Sequence, residues 1–93
     1  MFALIGSAEI DPDRVHEAEA ILKERLLPSV KAMDGFVSGT WTRSLDDASG
    51  TSMVLFESEA EANAAMEAAK EMVPPPGAPI TFGVRLVRVI AQA

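Results

Sequence analysis

A chain of 93 residues is long enough for one domain, and a hydrophobic content of 48% is enough to bury a packed core, so we expect residues 1–93 to fold as a single unit. Disulfides, cysteine-bound zinc and thiol catalysis are excluded because the chain has no cysteine, and its one histidine excludes a histidine-rich metal site. The formal net charge of -6 argues against binding to nucleic acid or to anionic membrane surfaces, since both require clustered lysine and arginine.

The N-terminal segment predicts a strand over residues 2–10. Its apolar run has no basic residues before it and is broken at Gly6 and Ser7, unlike a signal peptide. Both faces of the strand are largely apolar in its first half, which is typical of a strand covered on both sides. No apolar stretch approaches the ~20 residues that cross a bilayer, so we expect a cytoplasmic protein.

A helix is predicted next, because its start and stop signals are both present. Asp11 suits the N-cap, and Pro12 suits the first helical position. Gly35 suits the position after the end of the helix, where the backbone often adopts a left-handed conformation. Pro28 lies inside the helical pattern and lacks a backbone donor, which predicts a bend near Leu27. The buried stripe is predicted from spacings of three and four residues: Val15, Ala18, Leu22, Leu26 and Val30.

A hairpin and a second helix follow. Residues 36–43 and 51–57 read as strands, with a turn-rich loop at 46–50 between them. Ser58 and Glu61 have the spacing of a capping box, which opens a helix to about residue 72. The stripe that we expect to face the sheet consists mainly of small side chains: Ala60, Ala64, Ala68 and Met72, with Ala65 beside them.

The end of the chain completes the fold prediction. The prolines within residues 74–79 indicate an extended connection. Residues 80–91 are predicted to form the last strand. The order strand, helix, strand, strand, helix, strand predicts a ferredoxin-like α+β fold, with two helices on one face of a four-stranded antiparallel sheet. The other sheet face is too apolar for solvent, and a second copy of the chain is its simplest cover. Arg85 and Arg88 interrupt the last strand and suit salt bridges between subunits.

Three features resemble a known superfamily. Residues 34–41 (Asp-Gly-Phe-Val-Ser-Gly-Thr-Trp) are similar to its Pro-Gly-Phe…Trp type of segment, with Asp34 in place of proline. The interruption at Pro28 and the strand-to-helix junction at residues 56–60 also fit. On these residues the chain resembles the dimeric α+β barrel superfamily, and within it the antibiotic-biosynthesis-monooxygenase-type proteins.

This resemblance implies a homodimer in which two sheets pack face to face as a barrel. It also implies oxidation of aromatic compounds without metal or flavin, so that no cofactor is expected. A sister branch degrades heme with an asparagine in the first strand and a histidine on a later helix. Ser7 and Ala8 stand in that strand here and the second helix has no histidine, so heme degradation is disfavoured.

Trp41 and Arg43 are the principal candidates for ligand binding. Trp41 suits an aromatic pocket wall against a planar ligand, or else it fills core or interface volume. Arg43 lies two residues further, so it shares a side of the sheet with Trp41. It suits binding of an anionic or phenolate oxygen, or else a surface ion pair with Asp46 or Asp47.

Three further residues complete the predicted site. His16 is the candidate catalytic base, because histidine is the side chain that most often serves as a general base; the alternative is a solvated histidine beside acidic neighbours. Ser7 and Phe36 join Trp41 and Arg43 as predicted ligand-binding residues. No metal site is expected.

Two functions are therefore predicted. The first is a cofactor-independent monooxygenase acting on an aromatic or planar small metabolite. The alternative is a non-catalytic homodimeric protein that binds a small ligand. An enclosed cavity of roughly 300 Å³ or more, with Trp41 or His16 on its wall, would favour the enzyme.

Overall fold

Four antiparallel strands form one sheet in the order β2-β3-β1-β4. The computed structural model describes residues 1–72 and 77–93. The strands are β1 (Phe2–Ile10), β2 (Phe36–Trp41), β3 (Ser49–Phe56) and β4 (Ile80–Arg88). This order, with one helix after β1 and another after β3, confirms the ferredoxin-like fold. β1 has its predicted bounds, whereas β2 and β4 end two and three residues earlier than predicted. β3 begins two residues earlier and ends one residue earlier than predicted.

The first helix occupies residues 12–31 and changes type along its length. A 3-10 turn at Pro12–Arg14 leads into α-helix at Val15–Ile21, a π-helical stretch at Leu22–Leu26 and α-helix again at Leu27–Lys31. Asp11 caps its start as predicted, because the Asp13 amide donates to the Asp11 carboxylate at 3.0 Å.

The predicted disturbance at Pro28 takes the form of the π-helical stretch just before it. The Leu27 amide donates to the Leu22 carbonyl, five residues back. In a regular α-helix, side chains spaced by four drift about 40° around the axis at each step. The wider π-helical turn offsets that drift. It therefore keeps on one face the apolar side chains that are four residues apart: Ala18, Leu22, Leu26 and Val30.

The second helix spans Glu59–Glu71, and its predicted orientation was wrong except at Ala65, which is buried as expected. The capping box at Ser58 is present, since the Glu61 amide donates to the Ser58 hydroxyl at 3.2 Å. Ala60 and Ala64 are nevertheless exposed, whereas Ala62 and Ala65 are buried. Alanine occupies so many positions of this helix that its spacing does not single out one face. Buried alanines let this helix approach the sheet closely.

Strand alternation divides the sheet into an inner face, toward the helices, and an outer face. The buried core cluster joins the inner face to the second helix: Leu4, Val54, Phe56, Ala62 and Ala65. On the outer face, Ala3 is in register with Leu55 and Val87, and Ile5 with Met53. We call Ala3, Ile5, Met53, Leu55 and Val87 the outer apolar patch. The sequence left open which face meets the helices, and the structure settles it.

The two arginines of β4 lie on opposite faces. Arg85 is in register with Ile5 on the outer face, and the Arg88 guanidinium lies 5.9 Å from the centre of the Phe2 ring. The predicted proline connection falls partly outside the described residues, at 74–76. Where the description resumes, the Asp11 amide donates to the Pro79 carbonyl at 2.8 Å. No helix in the described ranges has the length and apolar character needed to span a membrane.

Candidate functional site

A cavity of about 270 Å³ lies between the first helix and the inner face of the sheet. It forms because the two helices approach the sheet differently. Alanines of the second helix permit close packing, whereas leucine and valine side chains of the first helix face the sheet across a gap. The side chains that form the roof of the cavity are mostly apolar: Val15, Ala18, Leu22, Leu26 and Val30.

One row of residues in register across all four strands crosses the floor of the cavity. Trp41 on β2 is opposite Ser52 on β3, which is opposite Gly6 on β1, which is opposite Val84 on β4. All four line the cavity. An aromatic ring and a hydroxyl are thus adjacent within this row.

Two glycines shape this floor by lacking side chains. A Cβ atom at Gly39 would lie 2.5 Å from Cη2 of Trp41, so the indole lies over Gly39 along its own strand. A Cβ atom at Gly6 would overlap the Ser52 hydroxyl oxygen. Gly6 therefore leaves room for that hydroxyl, and Gly39 lets the indole lie flat against the sheet.

Charged side chains border the cavity at one end. Arg43 forms ion pairs with Glu19 of the first helix and with Asp47, whose carboxylate Oδ1 lies 2.9 Å from Arg43 Nε. Lys23 Nζ lies 3.9 Å from a carboxylate oxygen of Glu19. The Arg43 and Glu19 side chains are 37% and 41% exposed, so this network is well solvated. It links the first helix to the hairpin at the cavity rim.

The hairpin itself is held by hydroxyl groups. Thr42 Oγ1 donates to the Thr51 carbonyl at 2.6 Å and accepts from the Thr51 amide at 3.2 Å. In the loop, Asp46 accepts from the Ser44 hydroxyl at 2.6 Å and from the Ala48 amide at 3.0 Å. These bonds, led by the one from Ser44, lower the pKa of Asp46 below its ordinary value. These bonds hold the loop in one conformation, and Asp47 of this loop contacts Arg43.

The structure brings three of the five predicted site residues to the cavity. Trp41, Arg43 and Ser7 line it, although Ser7 belongs by alternation to the outer face of β1. Phe36 instead packs edge-to-face on Phe56, with ring centres 6.4 Å apart. His16 is exposed and is not among the lining residues, and its catalytic role stays a prediction.

Ser52 lines the cavity but was not among the predicted site residues. The sequence does contain a pattern that indicates it, because Ser52 is a polar residue at an inward position of β3, two residues before buried Val54. The roles of Leu22 and Lys23 at the cavity depend on how the first helix sits over the sheet, which their spacing alone does not show.

Several solved structures share this fold. A protein of unknown function from Nitrosomonas europaea, NE2512, is 19% identical, with a TM-score of 0.74 over 99% of this chain and 91% of the other. The heme-degrader MhuD from Mycobacterium tuberculosis, solved with two hemes in its active site, is 16% identical, with a TM-score of 0.71 over 100% and 99%. A dimeric ferredoxin-like protein from an uncultured marine organism is 12% identical, with a TM-score of 0.68 over 99% and 97%.

The sequence comparisons are more specific. No curated protein matches the chain at a significant level. The family model for antibiotic biosynthesis monooxygenase matches residues 1–71, which include β1 to β3, both helices and most of the cavity lining. The chain therefore belongs to the antibiotic biosynthesis monooxygenase family.

Proposed function

We propose that this chain is a homodimeric, cofactor-independent monooxygenase that oxidises an aromatic or otherwise planar small metabolite beneath the first helix. The observation that carries the proposal is the cavity of about 270 Å³, with Trp41 on its floor and apolar side chains above. Membership of the monooxygenase family supports the reaction class, and the cavity supports its location.

The shape of the cavity suits a flat ligand. A sheet provides a nearly planar floor, and leucine and valine side chains form the roof, so the space between them is a slot. Its volume of about 270 Å³ lies just below the roughly 300 Å³ at which ligand pockets usually begin, which favours a compact compound of one or two fused rings. Stacking on the indole of Trp41 adds to the apolar contact. A structural neighbour, MhuD, also holds planar ligands in its active site.

The reaction that we propose balances without a cofactor. A phenol reacts with O₂ to give a quinone and water. One oxygen atom of O₂ forms the new carbonyl group at a ring carbon. The other oxygen atom leaves as water. The two hydrogen atoms of that water come from the same ring carbon and from the phenol hydroxyl. The substrate supplies all four electrons, and O₂ is reduced.

The residues around the slot have two roles in this reaction. Apolar walls exclude water from the ring, which protects reactive intermediates. The positive charge of Arg43 at the rim stabilises the phenolate, which is the electron-rich form of the substrate. The phenolic proton passes to solvent at the open rim. His16 has no part in this scheme.

The homodimer is proposed from the outer apolar patch. Met53 on this patch is 48% exposed in the single chain, although a methionine gains free energy when it is buried. A second copy covers the patch with the same residues, as a twofold interface requires. Glu9 and Arg85, also on the outer face of the sheet, offer opposite charges at the margin. A dimeric structural neighbour has the same fold.

Turnover of 1-naphthol tests the proposal. We expect O₂ uptake and 1,4-naphthoquinone carrying one ¹⁸O atom when the reaction is run under ¹⁸O₂. Trp41→Ala should abolish most of the rate, whereas Leu45→Ala, at a fully exposed loop position, should not change it. Trp41→Phe, which keeps an aromatic ring, should retain part of the rate.

A different result supports the alternative function. If 1-naphthol and a panel of other phenols bind to the protein but none consumes O₂ above the rate of buffer alone, the monooxygenase proposal fails. The chain would then be a non-catalytic homodimer that binds small ligands.

A further inference from the structure

The Ser52 hydroxyl occupies an unusual place on the cavity floor. It points to the inner face of β3 between Gly50 and Val54, and the residue is half-buried. Its neighbours in register are Trp41 on one side and Gly6 on the other. Within this row the hydroxyl is thus flanked by an aromatic ring and by a glycine.

This hydroxyl is reachable from the cavity because Gly6 has no side chain. A methyl group at Gly6 would overlap the hydroxyl oxygen, so the hydroxyl extends over the backbone of β1. The nearest inward-facing side chains in the adjacent row, Leu4 and Val54, are buried and apolar. They offer the hydroxyl no hydrogen bond.

A comparison with Thr42 shows what is distinctive here. The Thr42 hydroxyl both donates to and accepts from the backbone of Thr51, so its hydrogen-bonding capacity is largely used. Within residues 1–72 and 77–93, the Ser52 hydroxyl has no such partner, and no buried side-chain polar atom is left unsatisfied. The hydroxyl oxygen is therefore not fully enclosed, and it is open to a hydrogen-bonding partner in the cavity space. Water displaced by an apolar ligand would leave it unpaired, which costs free energy.

We infer that Ser52 is a specificity-determining residue: its hydroxyl donates a hydrogen bond to an oxygen of a planar ligand whose ring lies against Trp41. The ligand class is an aromatic compound with a phenol or carbonyl oxygen on the ring. Adjacent strands are about 4.8 Å apart, which is close to the span of one ring and its oxygen substituent. This inference rests on the proposed ligand site beneath the first helix.

Such a hydroxyl selects by penalising the wrong ligand. An apolar pocket alone discriminates weakly between compounds of one shape, whereas a polar group that is left unpaired rejects a ligand without the matching oxygen. Ser52 would thus admit oxygen-bearing rings and disfavour the parent hydrocarbons. The same hydrogen bond fixes which edge of the ring faces the sheet.

Calorimetric titration under nitrogen, where no oxidation occurs, tests this role. The probes are 1-naphthol and 1-methylnaphthalene, which differ mainly in an oxygen atom against a methyl group. We expect Ser52→Ala to weaken binding of 1-naphthol by about 10-fold and to leave 1-methylnaphthalene within about twofold. Ser49→Ala, on the same strand at an exposed outward position, should change neither affinity.

A second variant removes the interaction without removing the hydroxyl. Gly6→Ala places a methyl group where the hydroxyl lies, so it should turn the hydroxyl away and cause the same selective loss of 1-naphthol binding. Equal effects of Ser52→Ala on both probes, or no effect on either, would overturn the inference while the ligand site stands.

The other outcomes separate the two proposals. If neither probe binds to the wild-type protein, both the role of Ser52 and the ligand site are overturned. If 1-naphthol binds in a Ser52-dependent way but is not oxidised in air, the result supports the inference about Ser52 and contradicts the proposed monooxygenase activity.

Discussion

The indole of Trp41 lies over Gly39, two residues earlier on the same strand. A methyl group at Gly39 would come within 2.5 Å of Cη2 and 2.7 Å of Cζ3 of the ring. These distances are far below van der Waals contact, so the two residues act as a pair. The glycine allows the only tryptophan of the chain to lie flat against the sheet and to leave the slot open.

Gly39→Ala should therefore push the indole into the cavity. We expect a loss of about 1–3 kcal/mol in the free energy of unfolding, because the added methyl overpacks the site, together with a shifted tryptophan emission and weaker 1-naphthol binding. Urea denaturation and fluorescence measure these effects. Gly83→Ala is the matched control, since a Cβ atom there meets nothing within 4 Å. Similar changes in both variants would contradict the pairing.

The ion pair between Glu19 and Arg43 has a predictable effect on ligand charge. A carboxylate or phenolate ligand must compete with Glu19 for the Arg43 guanidinium, so Glu19→Gln should raise the affinity for 2-naphthoate by about two- to fivefold. Stability should fall by less than about 1 kcal/mol, since both side chains are substantially exposed.

The control for this prediction is another exposed ion pair. Glu67 pairs with Lys70 on the second helix, and neither residue lines the cavity. Glu67→Gln should leave 2-naphthoate binding unchanged. An unchanged or lower affinity for 2-naphthoate in Glu19→Gln would show that Arg43 does not receive the ligand.

Asp46 should make the hairpin loop pH-sensitive. The Ser44 hydroxyl and the Ala48 amide lower the pKa of Asp46 in the folded state from its ordinary 3.8. The carboxylate thus stabilises the fold fully above pH 3.8, and this contribution is lost as pH falls through the lower folded pKa.

Chemical denaturation of wild type and Asp46→Asn at several pH values measures this contribution. The difference in unfolding free energy should be largest near neutral pH and should shrink below pH 3.8. Ser44→Ala removes the main donor and should narrow the same difference at neutral pH. A difference that stays constant with pH would rule out the charge of Asp46 as its source.

A charge on the outer apolar patch should separate the proposed dimer. Met53→Lys places an ammonium group in the middle of the patch, where burial against a second copy would be costly. We expect light scattering to give twice the 9.9 kDa chain mass for wild type and the single chain mass for Met53→Lys. Leu45→Lys, on the exposed loop, should remain dimeric. A monomeric wild type at micromolar concentration would refute the dimer.

Local signals in the sequence were sufficient for much of the fold. The bounds of β1, the Asp11 cap and the Ser58 capping box each depend on neighbouring residues, and the structure confirms them. The orientation of the second helix was not predictable, because alanine spacing does not mark a face. Its orientation follows instead from packing of Ala62 and Ala65 against residues far away in the sequence.

The candidate site was predictable only in part, for a related reason. Trp41 and Arg43 stand out by residue type, and both line the cavity. Ser52 is inconspicuous until Gly6, on a different strand, is placed beside it. Pro28 predicted a bend near Leu27, although the π-helical form of the disturbance follows only from the structure.

The most direct measurement is an NMR titration of the protein with 1-naphthol under nitrogen, because the single tryptophan gives one indole N–H signal. We expect that signal to shift together with the backbone amides of Ser52 and Leu22, while the amides of Met53 and Val87 on the outer face stay in place. A saturating shift at the outer face with an unmoved Trp41 indole would contradict a ligand site beneath the first helix.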